Sequence, residues 1–439
     1  MRRKLRLGFA TTVALTLALV MIGGSASAEY VPGPKDVVGI GSDTLQFAVD
    51  FVFDGFPGAS GFNALGNLYK GINIDATADA NSRVAYANNG IGAGQCHPGT
   101  GAAAGTGNDN TDHANNTCFL NPTVVLRAGF APVLRPNGSG AGFDAFRRDV
   151  DNAGTDVVDF ARSSVCQGTG TGCRGKIVTD LVSVKIGDDP FAILKSTTPA
   201  SNAVPLSAAQ IKSIYEANTP NCLHWTDVGG TSTDLIKPII PQTASGTFSS
   251  FAASVGITTL GNCGVQFEEN DPTAIHASGD AANAIMPMSG GRLNLYLGLK
   301  GDGSANGFGG YFKDPSCPAF VTTPAACVGA ARTLTPDVTL VTTGTPSSGT
   351  LWNITRPLYL YFRQSDLNEA TPWQPGSTLN WVRTLFYNPC ATPGGPGCSV
   401  VNGIEYGPGG PPYIAQSAGQ SLVSFAGIPP AYTPQVGGP

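Results

Sequence analysis

Four short runs of small, hydrogen-bonding residues, widely separated in the sequence, have the chemistry of an anion-binding site. They are GIGSDT at 39–44, RPNGSG at 135–140, DFARSS at 159–164 and TASGT at 243–247. The first, second and fourth lead into stretches with a helical pattern, and a helix start offers unpaired N–H groups and the positive end of the dipole. Glycine allows close approach of the backbone, and serine or threonine adds a hydroxyl donor. Together the runs indicate one binding site for a small anion.

The elements around these runs repeat the order strand, polar loop, helix, which is typical of an α/β fold. Apolar runs predict strands at 37–40, 123–130, 157–160, 177–194, 236–240, 284–288 and 358–362. Helical spacing predicts helices at 44–53, 143–150, 207–217, 248–255 and 379–386. Ser207 has the type and position of an N-cap. The Gly- and Pro-rich ending from Tyr406 onward predicts an ordered wrap followed by a frayed tail.

The first 28 residues have the pattern of a secretory signal peptide. A basic start, RRKLR at 2–6, precedes an apolar stretch over 7–22 and a small-residue cleavage site, SASA at 25–28. We expect cleavage after Ala28 and secretion into the cell-wall space. A membrane anchor is the alternative, disfavoured because the apolar stretch is short. The first cysteine is Cys96, so the sequence predicts no lipid anchor.

Charge and motif content exclude several function classes. The formal charge is −5, and loss of the four basic residues of the signal peptide, which has no acidic residue, takes it to −9. This balance argues against nucleic acid and anionic membranes as partners. The sequence has no Walker loop, HExxH or dinucleotide motif, and no histidine lies beside a GxSxG elbow. We therefore predict that the chain is not an enzyme and has no cofactor. Glu268 and Glu269 are interpreted as a solvated acidic turn, because adjacent side chains point apart.

All ten cysteines follow the signal peptide, as expected of five disulfides in an exported protein. The sequence leaves their connectivity open. Pairing neighbours in order would give five local links, and a Cys222–Cys263 link would bracket the run at 243–247. A zinc site formed by the cysteines and histidines between 96 and 118 is the alternative for that segment. The oxidising compartment favours disulfides, and we predict no metal site.

In their order along the chain, the four runs resemble the substrate-binding proteins of phosphate ABC transporters, and most closely the secreted actinobacterial members of that family. The similarity extends over most of the chain and includes LSAAQIKSIY at 206–215 and the segment 268–285. The resemblance implies a two-lobed, periplasmic-binding-protein-like α/β fold (type II) with a hinge between the lobes. Lobe 1 would comprise residues 29–195 and 285–439, and lobe 2 would be residues 196–284, inserted between them.

The resemblance also implies that hydroxyl and N–H groups of the four runs hold phosphate, with an ABC permease as a partner. The matching positions are Ser42, Thr44, Ser139, Ser163, Ser164, Ser245, Gly246 and Thr247. Two charged positions depart from the transporter pattern. Ser164 stands where those proteins have an aspartate that accepts the ligand's proton. Pro241 stands where they have an arginine, four residues before the serine of Ser-Gly-Thr.

Nearby charged residues offer replacements. Arg135 and Arg162 could supply the positive charge, and Asp43 could supply the proton-accepting carboxylate. Arg162 could instead form an ion pair with Asp159 or Asp156. Asp43 and Ser139 could be helix N-caps, and Arg292 could be a structural residue between the lobes.

The sequence therefore predicts a secreted, monomeric solute-binding protein for phosphate or a related small oxyanion. The alternative is a secreted envelope or interaction protein that keeps the fold without binding an oxyanion. The intact Ser-Gly-Thr sequence at 245–247 favours binding, whereas the missing aspartate and arginine favour the alternative.

Overall fold

The computed structural model describes residues 31–56, 58–74, 76, 123–151, 157–170, 173–197, 204–241, 245–267, 269–272, 274–307 and 338–436. The strands are β1 Val37–Gly41, β2 Gly55–Phe56, β3 Ala59–Ser60, β4 Gly71–Asn73, β5 Thr123–Val124, β6 Val133–Leu134, β7 Phe160–Ser163, β8 Leu181–Ser196, β9 Lys237–Pro241, β10 Val265–Phe267, β11 Ala284–Ser289, β12 Val338–Leu340, β13 Asn353–Arg363, β14 Ser399–Val401, β15 Ile404–Tyr406 and β16 Pro430–Val436. The α-helices are α1 Gln46–Asp54, α2 Gly138–Asp151, α3 Ala208–Glu216, α4 Gly246–Val255, α5 Ala274–Ala277, α6 Gly290–Leu297, α7 Trp381–Leu385 and α8 Ser417–Phe425.

Ten of these strands form one mixed sheet around the long strand β8. The order is β10-β9-β11-β8-β13-β7-β1-β4, and β12 and β16 also pair with β8. The pairs β1–β4, β1–β7, β9–β10 and β9–β11 are parallel, whereas every pair that involves β8 or β13 is antiparallel. Strand β1 (VVGIG) is buried along its whole length, as expected for a parallel strand covered on both faces.

The register brings the carboxyl ends of two sets of strands towards each other. Ser163, at the end of β7, pairs with Tyr359, which pairs in turn with Lys185 of β8. Ser289, at the end of β11, pairs with Phe191 of β8. Strand β7 runs in the direction of β8 and β11 runs against it, so their ends approach each other over the middle of β8. The loops that follow β1, β7, β9 and β11 therefore share one region, as expected for a ligand site in an open α/β sheet.

Among the described residues, three hydrophobic clusters pack against this sheet. One contains Phe191, Trp225, Phe251 and Trp352 and packs α3 and α4 against the β9–β11 side. A second contains Phe143 and Phe146 of α2 and packs against the β1–β7 side. The largest cluster covers the other face with α1, α6 and α8. The predicted α/β class is confirmed, and the two strand sets joined by β8 and β13 agree with a two-lobed architecture. The residue boundaries of the lobes stay a prediction.

Most predicted elements are present, with shifts at their ends. Ser207 is the N-cap of α3 and forms a reciprocal capping box with Gln210, so the N-cap prediction is confirmed. The strand predicted at 123–130 is wrong beyond Val124, because the chain turns there before β6. The segment 157–159 precedes β7 rather than belonging to it. The ending predicted as a wrap also contains α8 and β16. Within the described ranges, no helix has the length and hydrophobicity needed to cross a membrane.

Three disulfides link neighbouring cysteines: Cys166–Cys173, Cys222–Cys263 and Cys390–Cys398. These are three of the five links that pairing in order would give. The Cys222–Cys263 link brackets α4 in sequence. The other four cysteines, the segment 96–118 with its alternative zinc site, and the predicted signal peptide lie outside the described residues.

A network of buried charges joins the starts of β1 and β7 to the end of β13. Asp159 accepts hydrogen bonds from Val38 N at 2.6 Å and from Arg127 Nη2 at 2.8 Å. Arg363 donates to Asp149 Oδ2 at 2.6 Å and lies 3.6 Å from Asp366 Oδ2. Burial raises the pKa of Asp159 to about 6 and the pKa of Asp366 to about 7, despite the neighbouring arginines. Ionising these carboxyl groups therefore costs more in the folded chain than in the unfolded chain.

Replacing Asp366 by Asn tests this cost. Because the folded-state pKa of Asp366 is raised, its favourable contribution is complete below pH 4 and is lost as the pH rises through about 7. D366N should therefore gain in free energy of unfolding relative to the wild type as the pH rises from 4.5 to 8, measured by urea denaturation.

The control is Asp302→Asn. Asp302 is exposed and Ser304 lowers the pKa of its carboxyl group, so this variant should show no such gain. Equal pH profiles for D366N and the wild type would show that Asp366 carries no burial cost.

Candidate functional site

The four sequence runs meet in one buried cluster. Ser139 Oγ lies 3.1 Å from Ser164 Oγ and accepts a hydrogen bond from Ser164 N at 2.9 Å. Thr44 Oγ1 lies 3.5 Å from Thr247 Oγ1. A Cβ atom added at Gly246 would lie only 2.2 Å from Ser139 Oγ and 2.5 Å from Ser164 Oγ. The hydroxyl-bearing residues are at most 1 % exposed. Residues from 44 to 247 thus come together, as the sequence predicted.

Helix α4 presents its N-terminus to this cluster. Ser245 is the N-cap, and its Oγ accepts a hydrogen bond from Phe248 N at 2.9 Å. Gly246 and Thr247 form the first helical turn, where backbone N–H groups lack intrahelical acceptors.

Two predicted N-caps are wrong. Ser139 lies inside the first turn of α2, which begins at Gly138. The N-cap of α1 is Leu45, which has no side-chain cap hydrogen bond, and the Asp43 carboxylate instead lies 3.8 Å from Arg292 Nη2. Asp43 and Arg292 are both fully buried, so their charges face each other away from bulk water.

Arg162 binds the backbone of its own neighbourhood. Its Nε donates to Ser42 O at 3.2 Å, and its Nη2 donates to Gly41 O at 3.2 Å and Ile74 O at 2.8 Å. Its Nη1 donates to Gly39 O at 3.4 Å and to Asn73 Oδ1. These contacts use all five guanidinium donors. The guanidinium group of Arg162 is thus held by the protein itself, and its role as counter-charge to the ligand stays a prediction. Of its two alternative ion-pair partners, Asp159 binds Arg127, and Asp156 lies outside the described residues.

Two further predicted site residues, Ser163 and Arg135, make contacts of a different kind. Ser163 Oγ donates to Val165 O at 2.6 Å and accepts from Gln167 Nε2 at 2.7 Å, so its hydroxyl is used locally. Arg135 lines a groove along α2 with Phe130 and Arg148. Within the part of the chain that the structure describes, no hydrogen bond of Ser163 or Arg135 to the hydroxyls of Ser139, Ser164, Thr44 or Thr247 is seen, and their part in ligand binding stays a prediction.

Arg356 brings a guanidinium group to the two threonine hydroxyls, and no motif in the sequence indicates it. Its Nη2 donates to Thr247 Oγ1 at 3.1 Å and to Thr44 Oγ1 at 3.3 Å, and its Nε donates to Asp189 Oδ2 at 2.8 Å. Its Nη1 is buried and has no hydrogen-bond partner among the described residues. Arg356 precedes the predicted strand 358–362 and adjoins none of the four runs. Only the pairing of β13 with β8 shows that its side chain belongs to the site. Arg356 and Asp189 are direct partners across β13 and β8.

The turn after β10 enters the same cluster. Asn270 Nδ2 donates to Thr44 Oγ1 at 3.0 Å and to Thr247 Oγ1 at 3.3 Å. Glu269 accepts hydrogen bonds from Ser245 Oγ and, at 3.4 Å, from Thr247 N. The Glu269 side chain is fully buried. The interpretation of this segment as a solvated acidic turn is therefore wrong for Glu269, while Glu268 lies outside the described residues.

One group of potential metal ligands occurs among the described residues, and its chemistry does not suit a metal. It consists of Cys390, Cys398 and Glu405. The two cysteines are joined in a disulfide, so they offer no thiolate.

Similarity to known proteins is limited to structure. No protein-family model and no curated protein sequence matches the chain. Solved structures that it resembles include an ABC-type phosphate transport receptor from Vibrio cholerae, with 15 % identity, coverage of 53 % of this chain and 75 % of that chain, and a TM-score of 0.31. A possible phosphate binding protein from Planctomyces limnophilus has 15 % identity, coverage of 76 % and 83 %, and a TM-score of 0.32.

A third such structure is PstS from Borrelia burgdorferi, with 12 % identity, coverage of 61 % of this chain and 72 % of that chain, and a TM-score of 0.28. Superpositions at these scores equate too little of the backbone to assign residue roles. The chemistry of the site therefore has to follow from the chain's own contacts.

Gly246→Ala should disturb the contact between α4 and the serine pair. The added methyl group would overlap Ser139 Oγ and Ser164 Oγ, both of which are buried. We expect a loss of about 1–3 kcal/mol in the free energy of unfolding, the usual cost of overpacking, measured by chemical denaturation.

Gly170→Ala is the matched control. A Cβ atom at Gly170 would make only an ordinary contact, 3.4 Å from Cys173 Sγ. Equal stability of both variants and the wild type would contradict the close packing of the four runs.

Proposed function

We propose that this chain binds a small oxyanion, phosphate or a close chemical relative, where the four runs meet, and performs no chemistry on it. One observation carries the proposal: buried donors from distant parts of the chain converge beside the N-terminus of α4. Thr44 and Thr247 contribute hydroxyls, and Arg356 contributes a guanidinium group that contacts both. Helix N-termini and arginine are donors that commonly bind oxyanions in proteins.

Donors without acceptors support an acceptor-rich ligand. Arg356 Nη1 and Ser42 Oγ are both buried, and neither has a hydrogen-bond partner among the residues that the structure describes. Leaving such a group unsatisfied costs about 1–3 kcal/mol, and more for a charged group. An oxyanion offers several acceptor lone pairs in a small volume, so one ligand could satisfy donors on both sides of the cluster.

The charged residues of the proposed site differ from those that the sequence suggested. Arg356 and Arg292 take the place of Arg162 and Arg135 as the positive groups. Pro241 ends β9 where the transporters have an arginine, and Arg356 reaches Thr247 of the run that follows β9 from a different strand. Asp43 remains the candidate carboxylate for a ligand proton, since it lies within contact of Arg292 and of Asn270.

Further features belong to the same proposal. The chain would be exported with removal of residues 1–28, remain monomeric, and close two lobes, 29–195 with 285–439 and 196–284, over the ligand. Delivery to an ABC permease would make the anion available for uptake, and without such a partner the chain would scavenge it.

A second candidate function is an exported interaction protein that has lost oxyanion binding. Glu269 favours it, because a carboxylate already accepts hydrogen bonds at the N-terminus of α4. Calorimetric titration of the chain with phosphate and with sulfate separates the two functions. Saturable binding of either anion supports the proposal, whereas absence of heat and of any thermal shift with both supports the interaction protein.

Thr247→Val should weaken phosphate binding by about tenfold or more, because a hydrogen bond to a charged ligand contributes about 1.5–3 kcal/mol. Valine matches threonine in shape but lacks the Oγ1 that contacts Arg356 and Asn270. The measurement is the dissociation constant from calorimetry.

Thr339→Val, on the exposed side of β12, is the matched control and should leave the affinity unchanged. Unchanged affinity in T247V would place the anion away from the four runs.

A further inference from the structure

We infer that Glu269 sets the oxyanion affinity of this site by occupying the anion's position at the N-terminus of α4. The inference rests on the proposed function and adds a residue that limits it. The carboxylate would have to leave before phosphate could reach the α4 N–H groups. Glu269 would thus compete with phosphate from within the chain. The stability of its contacts would set the phosphate concentration at which the site is half occupied.

The contacts of Glu269 are those of a bound anion. Its Oε2 accepts from the hydroxyl of Ser245, the N-cap, and lies 3.4 Å from Thr247 N in the first turn. A carboxylate at this place satisfies helix N–H groups and interacts with the positive end of the dipole. Phosphate at the same place would use the same donors, so the two are mutually exclusive.

The next residue, Asn270, contacts the two threonine hydroxyls of the proposed site. Its Nδ2 donates to Thr44 Oγ1 and Thr247 Oγ1, and its Oδ1 accepts from Ser289 N at 3.3 Å. The backbone of Asn270 has φ of 57°, in the left-handed region that non-glycine residues seldom adopt. Such strain is retained where surrounding contacts determine it, and it is concentrated at functional sites. The turn 269–270 is therefore held in the cluster by its side chains at a backbone cost.

The charged side chains around Glu269 are consistent with competition between its carboxylate and an oxyanion. Asp189 pairs with Arg356 at 2.8 Å, and Asp43 lies 3.8 Å from Arg292. Glu269 adds a third carboxylate beside these two pairs, while the nearby guanidinium group of Arg162 has its donors bound to Gly39, Gly41, Ser42, Asn73 and Ile74. Adding an oxyanion beside a retained Glu269 carboxylate would bury further like charge, which is costly at low dielectric. Removing the charge of Glu269 should therefore favour the anion.

The test is calorimetric titration of the full chain with inorganic phosphate, comparing the wild type with Glu269→Gln. The glutamine keeps the size and an acceptor but removes the charge, so it should bind phosphate about tenfold more tightly. Asn270→Gly is a second variant, whose backbone tolerates the positive φ, and it should also bind more tightly. Glu369→Gln, at an exposed residue, is the matched control and should leave the affinity unchanged.

The outcomes separate this inference from the proposed function. Tighter binding by E269Q than by the wild type supports the inference, even if the wild type itself shows no binding, a result that would overturn the proposed function alone. Wild-type binding that is equal to or tighter than that of E269Q overturns the inference, whatever N270G does, and leaves the proposed function standing. No binding by any of the chains overturns both.

Discussion

The ion pair between Asp189 and Arg356 is the constraint on which the arrangement depends. These residues are direct partners across β8 and β13, and the two strands are hydrogen-bonded to both sets of parallel strands. The pair lies where the carboxyl ends of β7 and β11 approach each other. Asp189 also accepts hydrogen bonds from Ser289 Oγ and Gly291 N, which fixes the start of α6. A buried pair of this kind is costly to break, because the remaining charge would have no compensation.

Around this pair, the cluster combines the N-terminus of α4 and buried hydroxyls with the buried charges of Asp43, Arg292 and Glu269. The N-terminus of α4 and the hydroxyls of Thr44 and Thr247 lie within contact of Arg356 or of one another. Glu269 accepts hydrogen bonds from Ser245 Oγ and Thr247 N at the same helix N-terminus. Under the proposed function, competition between an external oxyanion and this internal carboxylate would decide whether the chain binds the anion.

The sequence predicted the parts of the site that follow local rules. Runs rich in glycine and hydroxyl residues, three of them at helix starts, predict one anion site, and the structure brings the runs together. Arg356 could not be predicted in this way, because it acts within a strand and its place depends on a register that includes a bulge after Leu358. Arg162 was assigned to the ligand from its position in a run, yet five backbone and side-chain acceptors hold it. Glu269 was expected in solvent because burial of one member of an acidic pair depends on tertiary contacts.

The most direct test of the central claim is a crystal structure of the chain grown with arsenate, a phosphate analogue whose arsenic atom can be located by anomalous scattering. The account predicts one strong anomalous peak within hydrogen-bond distance of Arg356 and Thr247, at the N-terminus of α4, with the Glu269 side chain withdrawn from Ser245. A peak elsewhere, or none at an arsenate concentration that saturates the chain in solution, would contradict it.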